Sequence, residues 1–134
     1  MATDGLITLS SSFGPQDTVR RLEATVKARG MMEFARIDHA AGAADAGLAL
    51  PPTELVIFGN ARAGTPLMQR DQTIGIDLPL KALVWQDAAG KTWFSYNDPG
   101  WLVKRYAMGA EVQTTIATLS AALNAVAIAA TTSA

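Results

Sequence analysis

The sequence predicts a single α+β domain: a mixed sheet of about five strands, helices packed on one face, and a C-terminal helix packed on the core. Short apolar runs alternate with helix-type patterns, and two of these runs flank a glycine-ended turn that is typical of a β-hairpin. The length of 134 residues fits one domain, 1–134, with frayed ends expected at 1–4 and 131–134.

The first half of the chain predicts three strands and two helices. Helix one is expected from Pro15 to Gly30, because Val19, Leu22 and Val26 recur at one-turn spacing between a helix-starting proline and a helix-ending glycine. A short alanine-rich helix is expected after Asp38, which is placed to cap it. The strands are expected at 6–9, 32–37 and 53–58.

The second half predicts a hairpin followed by two helices. Strands at 80–86 and 91–97 flank the turn from Asp87 to Gly90. Asp98-Pro99 is a cap followed by a helix-starting proline, and the last helix carries an apolar stripe from Val112 to Val126. The hairpin carries bulky apolar groups on both faces, so a face without helices would need a ligand cavity or a partner subunit. The sequence therefore predicts a homodimer.

Composition argues against several classes of partner. The net charge of -1 offers no global attraction to nucleic acid or to anionic membranes. There is no cysteine, which removes thiolate chemistry. The uncharged stretch 112–134 is long enough to span a bilayer, but its single apolar stripe is typical of a helix lying on a core. Because the start of the chain lacks a signal-peptide pattern, the expected location is the cytoplasm, with no membrane or nucleic-acid partner.

The stretch FGNARAGTPLM, 58–68, raises the first functional hypothesis. The backbone amides of Gly59 to Thr65 could surround an anion, helped by Arg62 and by a helix expected to begin at Thr65. The alternative is a plain strand-to-helix turn, in which Gly59 and Gly64 adopt positive φ and Asn60 bonds its own backbone. The stretch is neither a phosphate-binding Walker loop nor a dinucleotide fingerprint, so no cofactor is predicted.

A second group of polar residues lies where the hairpin ends and the next helix begins. Tyr96, Asn97 and Trp101 could fix the polar head of a ligand against apolar walls. The alternative is that the aromatic rings pack in the core while Asp98 caps the following helix.

A catalytic hypothesis rests on His39, the only histidine, with Asp38 beside it. The histidine could be an acid/base group oriented by the carboxylate. Adjacent residues at a helix start rarely face each other, so the structural alternative is favoured: Asp38 caps the helix and His39 points outward. One histidine without cysteine predicts no metal site.

Four ordered stretches carry a family resemblance: ARIDHAAGAADAGLAL, LVIFGNARAGTPLMQ, DLPLKALVW and GKTWFSYNDPGWL. With these the chain resembles the family known as domain of unknown function 302, over nearly its whole length. The resemblance implies an α+β domain with helices packed on a mixed sheet, in a dimer, and it implies almost nothing about activity.

The favoured functional hypothesis is a homodimeric binding or accessory module for a small, partly apolar molecule. Ligand-binding candidates are Gly59, Asn60, Thr65, Tyr96, Asn97 and Trp101. The rivals are an enzyme that combines His39 with the Gly59 to Thr65 amides, and a purely structural interaction domain.

Overall fold

The computed structural model describes residues 3–133, so Met1, Ala2 and Ala134, which were predicted to fray, lie outside the described residues. The strands are β1 (Leu6–Ser10), β2 (Met32–Asp38), β3 (Thr53–Gly59), β4 (Leu80–Gln86) and β5 (Thr92–Asn97). The α-helices are α1 (Pro15–Ala28), α2 (His39–Asp45), α3 (Ala61–Arg70), α4 (Pro99–Arg105) and α5 (Gln113–Thr131). Short 3₁₀ segments lie at Gln72–Ile76 and Ala110–Val112. The predicted α+β class with five strands is confirmed.

The sheet has the strand order β1-β5-β4-β3-β2, and every neighbouring pair is antiparallel. The prediction of a mixed sheet was therefore wrong about strand direction. β1 and β2 run in the same direction, but the connection through α1 carries the chain from one edge of the sheet to the other, so these two strands never pair. β3 and β5 run in the same direction on either side of β4, and their carboxyl ends therefore lie at the same end of the sheet.

One face of the sheet is covered by α1 and α5, and the core lies between them and the strands. The predicted apolar stripes of both helices are buried there: Val19, Leu22 and Val26 in α1, and Ile116, Leu119, Leu123 and Val126 in α5. Thr131, where fraying was expected to begin, is the last residue of α5 and only 1% exposed, and its carbonyl accepts a hydrogen bond from the Ser12 amide at 2.8 Å. The helical segment Ala110–Thr131 is long and apolar enough to cross a membrane, but it packs against α1 and the sheet.

The opposite face of the sheet carries apolar side chains that are not covered by any helix within residues 3–133. Leu55, Leu83 and Trp85 project from the same face, as the strand register shows. Trp85 stacks on Trp93 with 6.0 Å between ring centroids, and its indole nitrogen donates to the Ser95 hydroxyl at 2.9 Å. This open face is thus apolar and internally ordered.

Candidate functional site

A cavity of about 390 Å³ lies at the end of the sheet where β3 ends and α3 begins, bordered by the end of α1 and the middle of α5. Its volume is within the range of small-molecule sites, roughly 300 to 1,000 Å³. Most of the lining is apolar. The cavity is lined by Arg29, Met31, Phe34, Gly59, Asn60, Ala61, Ala63, Gly64, Thr65, Met68, Leu78, Pro79, Leu80, Thr118, Leu119 and Ala122.

The chain turns from β3 into α3 through Gly59 and Asn60. Gly59 has φ +148°, a region that glycine alone adopts easily. Asn60 caps α3, since its Oδ1 accepts a hydrogen bond from the Ala63 amide at 2.9 Å. The helix therefore begins at Ala61, and the predictions of a start at Thr65 and of a positive φ at Gly64 were wrong: both residues lie inside α3.

This early helix start changes what the loop can offer an anion. The Ala63 and Gly64 amides point back to the Asn60 carbonyl, at 3.2 and 3.4 Å, as part of the first helical turn. Only the first amides of the helix, at Ala61 and Arg62, keep no partner within the turn. The stretch from Gly59 to Thr65 is a capped helix start in the cavity wall and not a ring of free amides.

Within the described part of the chain, charge in the cavity wall comes from one residue, Arg29, which lies exposed directly after the last residue of α1. Among residues 3–133, its guanidinium forms no ion pair with a carboxylate, whereas the guanidinium groups of Arg20, Arg36, Arg70 and Arg105 do. Arg29 was not among the site residues predicted from the sequence. No local pattern marks it, because the cavity exists only where three elements distant in sequence meet.

The second predicted group is not part of this cavity. Tyr96 is 6% exposed and packs edge-on against Phe94 in the core. Asn97 pairs with Leu6 across β1 and β5. Trp101 packs against Gly5, where a Cβ would lie within 2.3 Å of its ring. These three residues share an end of the sheet with Asn60 but contribute nothing to the cavity lining.

The His39 and Asp38 pair lies at the other end of the sheet. Asp38 pairs with Glu54 at the start of β3, whereas Gly59 ends that strand, a separation of about 17 Å along the strand. The Asp38 carboxylate accepts a hydrogen bond from the Ala41 amide at 2.9 Å and caps α2. His39 and the start of α3 therefore cannot act on one reacting group. Within 3–133 no three His, Asp or Glu side chains are grouped to hold a metal ion.

Two clusters of charged groups lie outside the cavity. On β2, a hydrogen bond with the Glu23 carboxyl, together with burial, raises the pKa of Glu33 to about 7 against the opposing charge of Arg36. In β4, burial lowers the pKa of Lys81, whose ammonium donates to the Asp77 and Pro79 carbonyls at 3.1 and 3.0 Å. These two hydrogen bonds fix the position of the Lys81 ammonium at the start of β4.

The comparison with solved structures supports the fold. A crystal structure of an uncharacterized conserved protein DUF302 from Bacillus stearothermophilus superposes with a TM-score of 0.84 at 21% sequence identity, covering 96% of this chain and 99% of that one. At this identity the likeness shows the fold alone.

Relatives with closer sequences are channel proteins by name. The chain is 52% identical over 105 residues to "Fluoride-specific ion channel FluC 1" of Brucella suis biovar 1 (strain 1330), a match covering 78% of this chain and 41% of that protein. FluC 1 of Brucella abortus biovar 1 (strain 9-941) matches at the same identity over 39% of its length. The chain thus spans about two fifths of these relatives.

The family comparison covers nearly the whole chain, as the resemblance inferred from the four ordered stretches does. The model of the family described as "Domain of unknown function DUF302" matches residues 7–126, nearly the whole sheet and most of α5. The chain belongs to the DUF302 family.

Proposed function

We propose that this domain is a binding module that takes up a small, largely apolar molecule in the cavity between α3, α5 and the end of β3. The observation that carries the proposal is the cavity itself: about 390 Å³, with a mostly apolar lining and only a few polar groups, Arg29, Asn60 and two threonines. Sites for small molecules combine apolar walls with a few fixed polar groups in this way.

The test fills the cavity and asks whether a ligand is lost. Ala122→Phe places a bulky ring in the lining, whereas Ala117→Phe adds the same ring at an exposed position of α5 outside the lining. Native mass spectrometry of the purified chain should show a co-purified small mass in the wild type and in the Ala117 variant, and none in the Ala122 variant. Circular dichroism checks that all three are folded. A mass retained by the Ala122 variant would place the ligand elsewhere.

We also propose that the domain works as a homodimer in the cytoplasm. Support for the dimer comes from the open sheet face, where Leu55, Leu83 and Trp85 present apolar surface without a covering helix. Exposed apolar patches of this kind are typical of interaction surfaces. Support for a location away from the bilayer comes from the packing of α5 against α1.

The names of the relatives favour a second candidate, an accessory domain that works with a fluoride channel. The observation behind it is the 52% identity over 105 residues to proteins named fluoride-specific ion channels. Calorimetric titration of the purified chain with sodium fluoride, against sodium chloride as the control, tests whether the domain itself senses the ion. A fluoride-specific heat would favour this candidate, and identical traces would leave the apolar cavity as the basis for function.

A further inference from the structure

We infer that the molecule held in the cavity is a small amphiphilic carboxylate, whose apolar body lies between α3 and α5 and whose carboxylate meets the guanidinium of Arg29. This inference rests on the proposed binding function and specifies the class of ligand.

Charge complementarity is the first argument. Among the residues that the structure describes, Arg29 is the sole charged residue that lines the cavity, and no Asp or Glu lines it. Within the described chain the Arg29 guanidinium has no carboxylate partner. A guanidinium offers two parallel N–H groups to a carboxylate, which adds both energy and orientation. The charge of Arg29 in the cavity wall therefore favours a ligand with an anionic head group over one with a neutral or cationic head group.

The neighbouring polar groups in the wall also favour an anion. The Oδ1 atom of Asn60 is occupied by the Ala63 amide, which leaves the Nδ2 hydrogens as donors. The Ala61 amide lies in the first turn of α3, where amides lack an intrahelical partner. Together with Arg29, these groups supply donors at the point where β3 ends.

The apolar walls of the cavity favour an apolar body for the ligand. Met31, Phe34, Met68, Leu78 and Leu119 form apolar sides. Methionine side chains adapt their shape, so the walls can accept a flexible chain. The volume of about 390 Å³ is near the low end for ligand sites, which favours a medium-chain carboxylate over a larger lipid.

The experiment compares decanoate with decanol, which share an apolar chain and differ in the head group. Isothermal titration calorimetry at pH 7.5 measures both ligands, at concentrations below aggregation, against the wild type, Arg29→Ala and Lys27→Ala. Lys27 lies in the last turn of α1, two residues before Arg29 and outside the cavity lining. Its variant loses the same unit of charge without changing the cavity wall. Arg29→Gln is a second variant in case the shorter side chain disturbs the end of α1.

We expect the wild type and the Lys27 variant to bind decanoate about tenfold more tightly than decanol, the effect of roughly one charge-assisted hydrogen bond. Both Arg29 variants should lose this preference while still binding decanol. Equal binding of the two ligands by the wild type would overturn the inference and leave the proposed function standing. Binding of neither ligand would count against the proposed function itself. A preference for decanoate that survives in both Arg29 variants would assign the head group to another residue.

Discussion

The Asn60 side chain joins two roles, because its Oδ1 accepts a hydrogen bond from the Ala63 amide at 2.9 Å while the residue lines the cavity. Asn60→Asp keeps a capping oxygen, since Asp and Asn cap helices about equally well. It also adds a negative charge to the wall that contains Arg29. We expect unchanged stability in urea unfolding, weaker binding of decanoate and unaltered binding of decanol, as measured by calorimetry.

Asn60→Ala removes the helix cap without adding a charge to the cavity wall. Losing the cap should lower the free energy of unfolding by about 1 kcal/mol. Asp98→Ala is the matched control, because Asp98 caps α4 through the Gly100 amide at 3.0 Å and does not line the cavity, so this variant also loses a cap. Equal loss of decanoate and decanol in Asn60→Asp would show that the variant damages the cavity and not its charge.

Local signals in the sequence predict most of the fold. Pro15 and the apolar spacing locate α1, and the turn from Asp87 to Gly90 locates the hairpin, because cap, spacing and turn signals act over a few residues. The start of α3 could not be predicted in this way: Gly64 and Pro66 normally break helices, yet both lie inside one that begins at the Asn60 cap.

The candidate site could be predicted only in part. Gly59, Asn60 and Thr65 were singled out by their position after a buried strand, and they line the cavity. Arg29 and Phe34 also line it, but their place depends on how α1 and β2 meet α5 in three dimensions. Tyr96, by contrast, lies within the last residues of a strand and is buried in the core, since strand ends alone do not show where a cavity opens.

Asp77 accepts a hydrogen bond from the Tyr106 phenol and two from Arg105, at 3.1 and 2.9 Å. The hydrogen bond to Asp77 raises the pKa of Tyr106, and burial raises the pKa of Tyr96. Both folded-state pKa values thus exceed their unfolded values, so this stabilisation is complete below the unfolded pKa near 10 and is lost as pH rises through the folded pKa.

We therefore expect the phenol absorbance of the native chain to titrate at higher pH than that of the chain in urea. The chain has 2 tyrosines, so the titration curve of Tyr106→Phe should contain the transition of Tyr96 and no other. Asp77→Asn tests whether the hydrogen bond to Asp77 is the cause, and it should bring the pKa of Tyr106 back toward its ordinary value. A native curve that coincides with the denatured one would contradict the Asp77 hydrogen bond.

Glu33 should make the stability of the fold depend on pH near neutrality. Its hydrogen bond with the Glu23 carboxyl raises its pKa from 4.5 to about 7, so the native state holds a proton that the unfolded chain has released. Stability from this group is present below pH 4.5 and falls as pH rises through 7. The melting temperature of Glu33→Gln should therefore fall less between pH 5 and pH 8 than that of the wild type, by calorimetry in matched buffers.

A direct titration distinguishes this effect from other changes across the same pH window. Carbon-13 NMR of the Glu33 carboxyl should give a midpoint near pH 7 in the wild type and a lower one in Glu23→Gln, which removes the acidic neighbour. If Glu33 titrates near 4.5 in both proteins, its pKa is not raised in the native state, and the pH dependence of the melting temperature has another cause.

The open face of the sheet predicts the assembly state. Leu83 lies in the centre of this face on β4, between Leu55 of β3 and Ser95 of β5. In a dimer that buries the face, Leu83→Lys would place an unpaired ammonium between apolar surfaces, a cost of several kcal/mol that should separate the subunits. Light scattering after size exclusion should show a dimer for the wild type and a monomer for this variant.

The matched control for that change is Ile128→Lys, which puts the same charge on an apolar residue of α5 that is 47% exposed. Because α5 lies on the covered side of the sheet, this variant should remain a dimer if the open face is the interface. Dissociation by Ile128→Lys with Leu83→Lys still dimeric would place the interface on the helical layer. If the wild type is a monomer, the open face is stable in contact with water. The stacking of Trp85 on Trp93 and the hydrogen bond from Trp85 to the buried Ser95 hydroxyl would then be enough to stabilise it.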